Sequence, residues 1–182
     1  SFTISHALTV RQKGRVVYRP TVHYAYLPCN DTLISLHELR CRRYEIHPRK
    51  RILSREIAEG KDLVGVLIMG HPFQSWWTGS ILSIEAARKK APKSNATVLQ
   101  VVAGVLAGVL WAIANPRRGI CLPEDLPHEE ILRHAVPYLG KVVSEPSSWT
   151  PLQRYRAYFL ENSEARPDFE DPWQFTNFLF RP

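Results

Sequence analysis

Glycine is scarce in this chain and never arranged for nucleotide phosphates. The nine glycines in 182 residues form neither G-x-G-x-x-G nor G-x-x-x-x-G-K-[ST]. A backbone loop that cradles pyrophosphate at a helix N-terminus is therefore not encoded in these residues. Cysteine is equally sparse. Cys29, Cys41 and Cys121 are odd in number and match neither a disulfide framework nor a paired-thiolate zinc site, which favours a reducing, cytoplasmic setting and no metal. The single methionine, Met69, is internal, so the sequence is expected to be a fragment, and no targeting segment is legible in it. Internal repeats are missing, which excludes solenoids.

Long apolar runs are almost absent too, with one exception. Residues 101–114 carry no charge, and Gly104 and Gly108 have the small-residue spacing of closely packed helices. At about 1.5 Å per residue this run rises about 21 Å, short of a roughly 30 Å hydrocarbon core, so a buried helix is expected and no membrane partner. The net charge of +7 and the basic cluster of Arg40, Arg42, Arg43, Arg49, Lys50, Arg51 and Arg55 invite a polyanion reading. No helix-turn-helix, zinc finger or aromatic-basic RNA signature accompanies the cluster. It is read as a solvated face, with a non-catalytic binding module that uses the Arg40–Arg55 segment on an acidic partner as the alternative.

Local pattern predicts an α+β chain. Residues 2–18 suggest strands around a turn at Gln12-Lys13-Gly14, although residues 5–8 also suit a helix. Alternation over residues 18–26 reads as a strand ended by Pro28, followed by a turn and a short helix capped by Asp31 and carrying Leu33, Leu36 and Leu39. Residues 63–69 and 76–84 form a hairpin, residues 85–90 a short helix, and residues 96–115 a long helix capped by Asn95. A helix over 129–139, strained by Pro137, precedes a strand at 141–145. An extended connector over 146–170 and a closing strand within 172–180 complete the pattern. The expected architecture is one domain over residues 1–182, a two-layer sandwich of mixed or antiparallel sheet with helices on one face.

The stretch from Arg19 to Glu38 gathers imidazole, phenol, amide and carboxylate groups more densely than folding needs. His23 and His71 are the candidate proton-transfer groups. Tyr24 is a candidate for supporting a pocket with its hydroxyl, and Trp77 for offering a ring face to a cation.

Four stretches, Tyr18-Arg-Pro-Thr-Val-His-Tyr-Ala-Tyr26, Gly65-Val-Leu-Ile-Met-Gly-His71, Asn95-Ala-Thr-Val-Leu-Gln-Val101 and Asp171-Pro-Trp-Gln-Phe175, together resemble the carboxy-terminal part of bacterial homospermidine synthase. Ser35-Leu-His-Glu-Leu39 and Leu106-Ala-Gly-Val-Leu-Trp-Ala112 lie between them in the same order. The resemblance implies NAD-dependent aminobutyl transfer between polyamines, with putrescine and also spermidine as candidate substrates, in a homodimer. It implies that NAD is gripped mainly by a preceding Rossmann domain, outside these 182 residues, and that this chain is the substrate and dimerisation portion, inactive alone. Which residues here touch NAD is left unassigned. Asp62, at the turn entering a matched strand, is implied as a carboxylate for a substrate ammonium. Leu63, where the family tends to be acidic, is a departure, as is the neighbourhood of Lys93.

Overall fold

The computed structural model describes residues 1–50, 53, 55–153 and 167–178, which fall into two compact units. The first comprises residues 1–53 and 121–125. It opens with helix α1, Phe2–Ala7, followed by an antiparallel hairpin of strands β1, Val10–Gln12, and β2, Arg15–Tyr18. Lys13 and Gly14 turn the hairpin with positive φ, as a tight two-residue connection requires. Helix α2, Asn30–Cys41, stands after an irregular segment, and a short 3₁₀ turn, Pro123–Asp125, returns to the unit, where Thr3 hydrogen-bonds Glu124.

Two expectations fail here. Residues 19–29 form no strand. Pro20 offers no backbone donor, no strand among the described residues supplies a ladder, and the alternating aromatics gain nothing by pairing, with Tyr24 87% and Tyr26 66% exposed. Helix α2 also begins before Asp31: Cys29 holds the N-cap position, and Asp31 lies inside the first turn, where its charge suits the helix dipole.

The second unit comprises residues 54–120 and 126–182 and is built on an antiparallel sheet in the order β3-β4-β5. Strand β3 is Lys61–His71, β4 is Gln74–Ser83 and β5 is Lys141–Ser147. The β3–β4 turn contains a bulge at Gly70, whose φ of 78° shifts the register between Met69 and His71. Alternation assigns the two faces. Asp62, Val64, Val66 and Ile68 share one face with Leu82, Ser80, Thr78 and Trp76; Leu63, Gly65, Leu67 and Met69 share the other with Ile81, Gly79, Trp77 and Ser75.

The first of these faces carries the core. Helix α3, Ile84–Lys90, is capped by Ser83, whose Oγ accepts the Ala86 N–H, and helix α4, Ala96–Ala114, by Asn95, whose Oδ1 accepts the Val98 N–H. Leu82, Ala87, Ala96 and Leu99 close together as one apolar cluster. Gln100, 5% exposed, reaches from α4 to Ser80, its Nε2 donating to the hydroxyl at 2.9 Å. Helix α5, His128–Leu139, packs on α4 through Ala103, Ala107 and Ala135. The close approach thus uses alanines. Gly104 and Gly108 look outward, with nothing within 4 Å of where a Cβ would stand. Pro137 sits inside α5, and Gly140 ends it at φ 83° and ψ −143° before β5.

Helix α4 has two unlike sides. Ala103, Ala107 and Trp111 are buried, whereas Val101, Val105 and Ile113 are 60%, 61% and 71% exposed. By length and composition it suffices to cross a membrane, and 33% of it is buried, on the side packed against the sheet and α5.

The expected closing strand is absent over Phe175–Phe178, which form a 3₁₀ turn. Asn177 explains it. Its amide donates to the Asp168 and Asp171 carbonyls and accepts the Asp168 N–H, so local side-chain bonds satisfy the backbone that a ladder would have used. Residues 179–180 of that expected strand, and residues 154–166 of the expected connector, lie outside the described residues.

Candidate functional site

The sequence candidates are divided between the two units, His23 and Tyr24 in the first and Asp62, His71 and Trp77 in the second. In the first unit, His23 lines an open cleft of about 970 Å³ with His6, Arg19, Val22, Glu124 and Asp125. Tyr24 is not among the residues lining that cleft; its side chain is exposed beside it in sequence. Glu124 was not singled out by sequence reasoning. It enters the cleft from a turn about 100 residues further along the chain, a proximity that no local pattern carries.

In the second unit, Asp62 and Trp77 stand on opposite faces of one sheet. Asp62 pairs with Leu82 on the face that packs against the helices, and its Oδ2 is buried without a hydrogen-bond partner among the described residues. A carboxylate oxygen withdrawn from water and left without a donor costs free energy on the order of 1–3 kcal/mol, and a cationic donor removes that cost. This chemistry suits an ammonium group.

Trp77 lies on the other face, and its ring rests over a cross-strand glycine pair. Gly65 faces Gly79 in the ladder, and a Cβ on either would stand 2.8 Å from Trp77 Cζ2. A single wall containing both Asp62 and Trp77 is therefore not what this unit builds. Leu63, 59% exposed, is on the Trp77 face, so its departure from an acidic residue does not bear on the immediate surroundings of Asp62 within the sheet.

His71 is tied into the hairpin end. Its Nε2 lies 3.2 Å from the Ile68 carbonyl oxygen and its Nδ1 accepts the Phe73 N–H at 3.1 Å. These partners fit a neutral ring protonated at Nε2, with Nδ1 engaged as the acceptor. Proton exchange at His71 requires one of these two contacts to open.

The thiol of Cys29 is held below its ordinary range. The Thr32 hydroxyl, 3.2 Å from Sγ, is the main cause holding the exposed thiol below its ordinary range, against the opposing charge of Asp31. A lowered pKa means more thiolate at neutral pH. Alkylation of Cys29 is thus expected to reach half its maximal rate at a lower pH than alkylation of a free cysteine peptide, and Thr32→Val to move that midpoint upward. Peptide mapping of iodoacetamide labelling against pH measures both, and an unchanged Cys29 midpoint in Thr32→Val would contradict the Thr32 contact.

Groups of three or more metal-ligating side chains are not found among the described residues. Nor do those residues offer a dinucleotide cradle. Both sheets are antiparallel, and the β4–α3 junction is Ser83 with no glycine loop ahead of the helix. The pyrophosphate of NAD therefore does not fit the strand–helix junctions present here.

No family model matches the chain. Comparison with individual proteins is more informative. It is 46% identical over 182 residues to homospermidine synthase from Blastochloris viridis, and 43% identical over 183 residues to homospermidine synthase from Mesorhizobium japonicum; each alignment covers all of this chain and 37% of the relative. A crystal structure of homospermidine synthase from Legionella pneumophila in complex with NAD superposes with a TM-score of 0.82 at 43% identity, over 96% of this chain and 37% of that one. From its first residue to its last, this chain is a homologue of the homospermidine synthases, corresponding to 37% of the length of the relatives it matches.

Proposed function

We propose that this chain supplies one part of a homospermidine synthase, the carboxy-terminal substrate and dimerisation part, in a cytoplasmic homodimer. The observation that carries the reading is end-to-end identity of 46% with one homospermidine synthase, joined to a buried Asp62 oxygen that lacks a donor. In the proposed reaction a hydride leaves putrescine for NAD, giving an imine. The amine of a second putrescine adds to the imine carbon, ammonia departs, and the same hydride returns to the new imine. Two putrescines thus yield homospermidine and ammonia, with no net redox change.

Within that scheme NAD supplies the hydride acceptor and donor, held mainly by sequence outside this chain. The Legionella protein bears NAD, and this chain matches 37% of it. Asp62 would hold a substrate ammonium, and the bare valine side of α4 would be covered by a second subunit. His23 and His71 remain the proton-transfer candidates and Tyr24 a supporting hydroxyl. His23 and Tyr24 belong to the first unit, His71 to the second.

The test is an assay of the protein containing this chain together with its dinucleotide-binding partner sequence, using putrescine and NAD. Homospermidine and ammonia are expected in equal amounts, with no accumulation of NADH. Net NADH release, or no product from putrescine, would remove the aminobutyl-transfer reading. The 182 residues alone are expected to show no turnover.

A further inference from the structure

We propose that the sheet face bearing Trp77 is a second ammonium-binding surface, in which Trp77 presents its ring to a primary alkylammonium and Glu145 supplies the opposing charge. This inference deepens the amine reading above and rests on it for the identity of the ligand. The argument begins with the ladder. Trp77 pairs with Leu67 on β3 and with Glu145 on β5, so the three side chains project from the same face. Directly opposed side chains have Cβ atoms about 4.5–5.5 Å apart, which places the Glu145 carboxylate within reach of the indole.

Three observations make this a cation surface rather than a packing pair. First, the ring is seated on backbone: Gly65 and Gly79 are paired beneath it, and a Cβ on either would meet Cζ2 at 2.8 Å. The side-chain-free floor on both strands lets the ring lie against the sheet, where Trp77 is half-buried. Second, Glu145 is exposed, and a carboxylate opposite tryptophan contributes none of the cross-strand benefit that an aromatic, β-branched or cationic residue gives. Third, Leu63 and Leu67 continue the same face with apolar surface suited to methylenes. Lys141 shares the face, but it lies four residues from Glu145 along β5, about 13 Å away. Lys61, paired with Ser83, stands at the far end of the ladder. Neither neutralises Glu145 by contact. The matching ligand is a straight-chain diammonium.

The experiment titrates the full-length protein with putrescine, following 15N-edited indole resonances and calorimetry, with butane-1,4-diol as the uncharged control. The Trp77 indole signal, identified by its loss in Trp77→Phe, is expected to move with putrescine and stay still with the diol. Glu145→Gln, a conservative change at an exposed site, is expected to weaken binding at this surface by about tenfold. A stationary Trp77 signal with putrescine, or unchanged affinity in Glu145→Gln, overturns the proposal. If Asp62→Asn abolishes all putrescine binding while Glu145→Gln leaves it intact, the amine reading survives and this surface does not. If the Trp77 signal moves and Glu145→Gln weakens that response, but no homospermidine is formed by the complete enzyme, the surface stands and the reaction falls.

Discussion

Asp62→Asn is expected to lower kcat/KM for putrescine about 10- to 100-fold, the loss that follows from removing one charge-assisted hydrogen bond to an ammonium. The substitution keeps the side chain's shape, and Asp62 sits on the first rungs of β3 opposite the fully buried Leu82, so the strand register should survive. The opposite result is equally legible. A carboxylate whose Oδ2 is buried without a partner is costly to the folded chain, and exchanging it for a neutral amide relieves part of that cost. If Asp62 serves only the fold, Asp62→Asn leaves turnover unchanged and does not lower the unfolding midpoint. Steady-state kinetics paired with urea unfolding separate the two, and wild-type kinetics would remove Asp62 from the substrate site.

The largest expected loss of stability is at Gly140. Its φ of 83° and ψ of −143° form a backbone conformation open essentially to glycine alone, and a Cβ there would collide with the Ile81 carbonyl oxygen. Strain and overpacking each cost about 1–3 kcal/mol, so Gly140→Ala should destabilise the protein by about 3 kcal/mol. The damage is positional. Gly140 is the only residue between α5 and β5, so moving it displaces the third strand and the helix that packs on Ala103 and Ala107. Gly108→Ala on α4 is the control of opposite sign. With nothing within 4 Å of the added methyl inside one subunit, it should stabilise the helix by about 1 kcal/mol in the monomer, whereas in the proposed dimer the methyl would meet the second subunit. Urea unfolding of both variants measures the contrast, and equal midpoints would refute the α5–β5 geometry.

Elements with strong local signals were readable before any coordinates. Asn95 caps α4 as expected, and the expected hairpin forms around Gly70, whereas the Ser83 cap of α3 lies in residues read as strand. Residues 18–26 misled because alternation describes a strand only when another strand is there to pair with it, and the described structure provides none. The glycines of α4 misled differently. The spacing of Gly104 and Gly108 was legible, but which side of the helix meets α5 depends on Ala135, a residue from another element.

By itself the sequence determined the α+β class, the Asn95 cap of α4, the lack of a phosphate loop and the resemblance to homospermidine synthase, because each of these is written in neighbouring residues or in their order. Tertiary structure alone decided that Asp62 and Trp77 occupy opposite faces, that Glu145 stands across from Trp77, and that Glu124 joins the cleft of His23. The physical reason is register. Which side chains share a face across a sheet is fixed by the hydrogen-bond pairing of distant strands, and a shift of one residue would exchange every assignment.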